Sequence, residues 1–216
     1  MTGKTETKEK RKPSEVILGG IHDFVEMLAL VTVVIMLVFA FVARLNIVNG
    51  QSMEPTLHNG EYLLVSNFMY SPTPGDIVVV HKINASYAHP NSSFVESYTD
   101  PIVKRVIATA GQTVKIDFTD WTLFVDGEEI AESYRYLDPA SATIIAQYGL
   151  STDSNGHTVF SVTVGDGQVF VMGDNRNHSA DSRTNAIGLI DERCVVGKAL
   201  VRLFPFNKFT VFQNPR

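Results

Sequence analysis

The 216-residue chain has a single cysteine, Cys194, so no internal disulfide can form. That cysteine lies in a strand-like apolar run and reads as a small buried side chain rather than a catalytic thiol. A basic excess is also missing. The five basic and five acidic residues before Arg44 cancel, so the whole net charge of −5 belongs to the part from Arg44 onward. Nucleic-acid binders favour a basic face, and no nucleic-acid partner is expected. No cluster of side chains stands at metal-ligand spacing, so neither a metal nor a cofactor is expected. There is only one long apolar run. Beyond it no convincing helical periodicity appears, so the rest of the chain is expected to be mostly β.

That run, Met27 to Ala43, has Thr32 as its only polar residue. With Phe24, Val25 and Glu26 it makes 20 residues, which as a helix would span about 30 Å. Lys4, Lys8, Lys10, Arg11 and Lys12 precede it, and only Arg44 follows within fifteen residues. The positive-inside rule then puts the N-terminus in the cytoplasm and the remainder outside. A cleaved secretory signal would have a shorter apolar region and a small-x-small site, which Ala40-Phe41-Val42-Ala43 matches poorly. The expected organisation is a cytoplasmic tail over 1–23, a transmembrane helix over 24–43 and an extracytoplasmic domain over 44–216. The tail up to Pro13 is charged and polar and is expected to be disordered.

Beyond Ile47 the chain shows short runs rich in Val, Ile and Phe, punctuated by Gly, Pro, Asn and Asp. Glu61–Val65, Asp76–Val80, Thr113–Asp117, Gln168–Met172 and Cys194–Val201 read as strands. Trp121–Val125 leads through Asp126-Gly127 into Glu128–Ile130, a hairpin signal because both turn positions need positive φ. The expected fold is an antiparallel β-sheet or barrel-like coil behind an N-terminal transmembrane helix. Two stretches, 84–100 and 137–157, are polar or rich in small residues and read as insertions. Phe204, Phe206, Phe209 and Phe212 form an aromatic cluster that suits either a last core strand or a patch at the bilayer interface.

Two residues invite a chemical reading. Ser52 lies in Asn49-Gly50-Gln51-Ser52-Met53-Glu54-Pro55-Thr56-Leu57. By itself it could be a turn serine bonding to backbone, or a nucleophile if a base can take its proton. His58, His81, His89, His157 and His178, with His22 before the apolar run, could be such bases, but none sits in a recognisable catalytic motif. Lys104 lies about fifty residues on, in the apolar run Ile102–Ala108. Alternation puts it on the face opposite Val103 and Arg105. It could be a surface lysine snorkelling over an apolar face, or a desolvated amine. Free lysine has a pKa of about 10.4, and lowering it to about 8 by burial corresponds to roughly 3.3 kcal/mol.

The order Ser52-Met-x-Pro-Thr, then Lys104-Arg105, then Gly173-Asp-Asn-Arg through Ser179-Ala-Asp-Ser-Arg183 resembles the type I signal peptidases, on their Gram-positive-like single-anchor branch. The resemblance implies a membrane-bound serine endopeptidase that removes signal peptides from preproteins. It implies Ser52 as nucleophile and Lys104 as general base. Ser179 would hydrogen-bond the Lys104 amine, Asp181 and Arg183 would pair to hold the loop, and Asp174 would join the same network. The substrate would add as a strand between Ile47–Gly50 and Pro101–Val103. Val48 and Val103 would line pockets for small side chains, and Gly50 would let the substrate backbone come close. The Ser52 N–H is the expected first oxyanion donor. A Ser-Lys self-cleaving repressor would share the dyad but would need a DNA-binding domain. A non-enzyme relative would be a membrane-anchored binding domain lacking part of this residue set.

Overall fold

The computed structural model describes residues 13–81, 100–146 and 148–214. The tail up to residue 12 and nearly all of the 84–100 stretch lie outside the described residues. Contacts divide the chain into Met1–Val42 and Ala43–Arg216.

The first unit carries one helix, α1 (Pro13–Phe41). Pro13 suits its first position, where the missing N–H would have no partner in any case. The helix begins well before residue 24, so the regular backbone is longer than the apolar run alone. Gly20–Leu37 has a mean hydropathy of 1.9 and is exposed throughout, long and apolar enough to cross a bilayer.

The second unit is built of strands. In chain order these are β1 (Arg44–Ile47), β2 (Tyr62–Ser66), β3 (Ile77–Val80), β4 (Ile102–Thr109), β5 (Thr113–Asp117), β6 (Thr122–Val125), β7 (Glu128–Glu129), β8 (Leu150–Thr152), β9 (Thr158–Thr163), β10 (Gln168–Met172), β11 (Ile190–Asp191), β12 (Val195–Phe204) and β13 (Thr210–Val211). One sheet runs β1-β2-β12-β3-β4-β10-β11, with β13 on β12, and a second runs β7-β6-β5-β9-β8. All the ladders are antiparallel. The fold is thus mostly β behind an apolar helix, as the alternating runs suggest. Register shifts in β12 and β10 bend the larger sheet. Asp126 and Gly127 have φ of 52° and 84°, the positive values that a two-residue hairpin demands.

Burial explains the strand compositions. β3 (Ile-Val-Val-Val) is buried at every position, and β4 at its six central ones. Both are interior strands covered on both faces, which favours continuous apolar runs over alternation. Val48, Met53, Leu57, Val79 and Val103 share one apolar cluster. Phe118, Leu123, Phe160 and Phe170 belong to another, which joins the two sheets through β4 and β10. The 137–157 stretch contains β8, paired with β9, and is therefore partly built into the smaller sheet. Of the aromatic cluster, Phe212 packs on the core, whereas Phe206 is 82% exposed and Phe209 is also outward.

Candidate active site

Three segments converge, and each is delivered by a different piece of the large sheet. The first follows β1. Val48 N–H donates to Glu61 O (2.9 Å), and Gly50 N–H to the Asn59 side chain (2.9 Å). Met53 and Leu57 are buried and linked by a Leu57 N–H to Met53 O bond of 2.8 Å. Ser52 sits between the exposed Gly50 and these two anchors, so its position is fixed from the C-terminal side. Gly50 has φ 89°, and a Cβ there would meet open space. Among the described residues the Ser52 N–H has no hydrogen-bond acceptor.

The second segment is β4. Lys104 stands opposite Val78 of β3 and is 3% exposed. Its Nζ lies 2.7 Å from Ser52 Oγ and 3.2 Å from Val103 O. Burial pulls its pKa down to about 8. Asp181 and Asp174 push the other way, and the Arg183 charge assists burial. The pocket is therefore not free of carboxylates; those near it are engaged by arginines. No histidine among the described residues bonds Ser52. His157 pairs with Asp117 on the smaller sheet (3.0 Å), and His58 lies 3.7 Å from Glu61.

The third segment leaves β10 as the polar block. Its backbone grips the serine segment. Asn175 N–H donates to Ser52 O (3.1 Å), and the Asn175 side chain donates to Gln51 O (3.2 Å). Any Cβ on Gly173 would collide with the Ser52 carbonyl and with Ser179. The glycine is what lets the block and the serine segment touch. Asp181 accepts from Arg183 Nε and Nη2, both at 2.7 Å, and from Gly173 N–H at 3.1 Å. Burial raises the Asp181 pKa, but the Arg183 charge and these bonds bring it net below the ordinary carboxylate range. Val48 and Val103 are both buried in the apolar cluster beside Ser52 and Lys104.

Ser179 differs from expectation. Its Oγ is buried and makes no normal hydrogen bond among the described residues. It is near enough to Asp181 to help lower that pKa, yet the Lys104 amine bonds Ser52 and Val103 instead.

Several contributors escape sequence reasoning. Arg105 donates to Asp174 from Nε (2.8 Å) and Nη2 (2.6 Å), and to Gly75 O (2.8 Å). Its guanidinium lies 4.0 Å from the Tyr134 ring centroid. Asp174 also accepts from Thr56 Oγ1 at 2.6 Å. One carboxylate thus ties the turn after Ser52 to the residue after Lys104. Glu132 accepts both Nη atoms of Arg176. The only local hint of any of this is a charged pair inside an apolar strand. The partners lie 69 and 44 positions away.

Ligating groups do gather at His22, Asp23 and Glu26 on the helix, and at Asp117, Asp153 and His157. Neither group includes a residue of this site.

A family model described as "Signal peptidase, peptidase S26" matches residues 21–204. The chain belongs to that family. As an S26 member it is a serine peptidase, a hydrolase of the signal peptidase I type. A probable signal peptidase I-1 of Synechocystis is 34% identical over 88% of this chain and 85% of its own length. Signal peptidase I of Bacillus licheniformis is 32% identical over 94% of this chain and 97% of its own. A crystal structure of a signal peptidase I from Enterococcus faecalis is 26% identical, with a TM-score of 0.39, covering 60% of this chain and 97% of that one.

Proposed function

We propose that the chain removes N-terminal signal peptides from preproteins, with Ser52 as nucleophile and Lys104 as general base. The observation that carries this is the 2.7 Å approach of the buried Lys104 Nζ to Ser52 Oγ, at an amine whose pKa is down to about 8. A base with a pKa near the working pH is both available and strong enough to matter.

Neutral Lys104 takes the Ser52 proton as Oγ attacks the carbonyl carbon before the cut. The tetrahedral oxyanion forms next to the free Ser52 N–H. The new ammonium gives its proton to the departing amine, and the C–N bond breaks. Lys104 is then neutral again and takes a proton from water, which attacks the Ser52 ester. That proton returns to Ser52 Oγ as the signal peptide leaves. The Arg105–Asp174 and Asp181–Arg183 pairs position the two reacting groups.

The substrate strand would lie between Ile47–Gly50 and Pro101–Val103. β1 ends its sheet, and β10 pairs with β4 only from Arg105 onward, so both flanking edges are free for added backbone bonds. The buried Val48 and Val103 leave room for small side chains, which favours alanine at the first and third positions before the cut. The apolar helix would act as a membrane anchor, N-terminus in the cytoplasm and site outside. It confines enzyme and substrate to one surface and raises their effective concentration. Exposed Phe206 and Phe209 suit contact with the bilayer interface.

The test is incubation of the detergent-solubilised chain with a model preprotein and sequencing of the new N-terminus. Cleavage after a small-x-small site is expected, with Ser52→Ala and Lys104→Ala each losing it. Near-normal cleavage by either folded variant rules the dyad out.

A further inference from the structure

The loop that carries Ser52 is closed by two backbone bonds. Val48 N–H donates to Glu61 O (2.9 Å), and Gly60 N–H to Val48 O (2.8 Å). Inside the loop the chain turns tightly, with Glu54 N–H on Gln51 O (3.1 Å) and Leu57 N–H on Met53 O (2.8 Å). A displacement of Thr56 is therefore passed back to Ser52 through a short, compact stretch of backbone. The Thr56 hydroxyl is tied to Asp174, and so to Arg105. Its carbonyl is tied to a different arginine.

That arginine is Arg202, on β12. It stands opposite Leu63 of β2 and Thr210 of β13, and its side chain is 12% exposed. Nη1 donates to Thr56 O (3.0 Å) and to the Glu61 carboxylate, at Oε2 (3.0 Å) and Oε1 (3.3 Å). Nε donates to Lys208 O (2.8 Å), and Nη2 to Thr210 Oγ1 (2.9 Å). The Thr210 hydroxyl in turn donates to Lys208 O (2.9 Å). Lys208 N–H on Pro205 O (2.9 Å) and the pairing of β13 with β12 hold this C-terminal turn, 205–210, in place. Glu61 is buried, and its carboxylate balances the guanidinium. One planar fork thus spans two separate segments, the serine loop and the C-terminal turn, which the compact ammonium of a lysine cannot do.

Resting on the proposed peptidase reading, we propose that Arg202 is a positioning residue for Ser52, aimed by the C-terminal turn. Among the described residues none of its side-chain bonds goes to Ser52 or Lys104, or to Val48, Gly50 or Val103. Its effect runs through Thr56 O and fixes where the Ser52 hydroxyl meets Lys104 Nζ. Two demands meet in this one side chain. The Glu61 charge needs only a cation beside it. The placement of Thr56 needs the whole fork, with all three nitrogens engaged. Substitution can separate the two.

The full-length enzyme in detergent is assayed on a model preprotein, with kcat and KM determined separately. Arg202→Lys keeps a cation beside Glu61 and so keeps the fold, which the melting temperature checks. Its kcat should fall by about tenfold, and that of Arg202→Ala by about 10²-fold, both at unchanged KM, the scale of a misplaced reacting group. Thr210→Val leaves Arg202 and Glu61 in place and removes one acceptor that aims the fork. Its kcat should lie between those of wild type and Arg202→Lys, and it carries the test should Arg202→Ala not fold. A folded Arg202→Lys with wild-type kcat shows that the arginine only balances Glu61 and overturns the proposal, as does a loss confined to KM. Wild-type kcat in Thr210→Val overturns the part assigned to the C-terminal turn. Ser52→Ala is run in parallel. Cleavage absent from wild type, or persisting in Ser52→Ala, refutes the peptidase reading itself. Ser52-dependent cleavage with unchanged kcat in Arg202→Lys refutes only the role of Arg202.

Discussion

Strand β4 carries two cations side by side, Lys104 and Arg105, each 3% exposed. Arg105 grips Asp174 through two hydrogen bonds, donates to Gly75 O and lies over Tyr134. Lys104 has no carboxylate in contact, only a hydroxyl and a carbonyl. Equal burial therefore gives unequal chemistry. Without a counter-ion the cheapest response to desolvation is loss of the proton, and an amine can do this near pH 8. A guanidinium holds its proton and must be paired. The difference separates a group built for proton transfer from one built to hold it in place.

Lys104→Met tests the first half and should give the largest effect. Cleavage should fall by on the order of 10⁴-fold, the scale of losing one member of a catalytic unit. Stability should move the other way. The folded pKa of about 8 lies below the ordinary lysine value of 10.5. Below pH 8 the protonated lysine destabilises the fold by about 3 kcal/mol. Between the two values the unfolded chain binds more protons, so wild-type stability rises with pH. The methionine variant should be more stable near neutrality, and its advantage should vanish above about pH 10.5. Urea unfolding at several pH values checks this. A variant less stable than wild type at pH 7 would mean that the lysine is compensated after all.

Arg105→Ala tests the second half. It leaves the Asp174 carboxylate buried beside Thr56 without its cation, and breaking such a pair costs about 3–5 kcal/mol. Arg105→Met combined with Asp174→Leu removes both charges and should recover much of that loss. It should not recover activity, because the tie from Thr56 to β4 is gone. If the double variant cleaves as well as wild type, the pair is structural only.

The pH dependence of kcat/KM is the next effect in size. With Lys104 as base, the rate should climb about tenfold per pH unit below 8 and level off above it. A flat profile from pH 6 to 9 would detach Lys104 from the rate.

These contrasts also mark what the sequence could disclose. Ser52 and Lys104 stand in recognisable runs, and the strands follow from local alternation, so all of these were legible. Alternation put Lys104 and Arg105 on opposite faces, but only the position of β4 between β3 and β10 buries both. The choice of partner was not legible. Asp174 answers Arg105, and Glu132 answers Arg176, across separations that local pattern cannot bridge. Ser179 lies against Gly173 and near Asp181, while the bond to Lys104 that the resemblance implies is not formed here. The stretch 137–157 reads as an insertion because it is rich in Ala, Ser, Thr and Gly. What orders it is the set of bonds from Tyr136, Asp138 and Tyr148 to a block about forty residues away.

The smaller sheet supplies the weak end of the comparison. His157 and Asp117 form a pair at 3.0 Å at the protein surface, with the His157 side chain 40% and the Asp117 side chain 14% exposed. Asp117 raises the His157 pKa. The Thr119 N–H first, and His157 after it, lower that of Asp117. The histidine contribution is present below its ordinary value and fades as pH rises through the raised one. The aspartate contribution is present above its ordinary value and fades as pH falls through the lowered one. The pair therefore acts only in a mildly acidic window, and water screens it there. His157→Ala should shift the melting temperature slightly at pH 5.5 and not at pH 9, with cleavage unaffected. A loss comparable to that of Arg105→Ala would show that burial is not what makes the charges of the larger sheet matter.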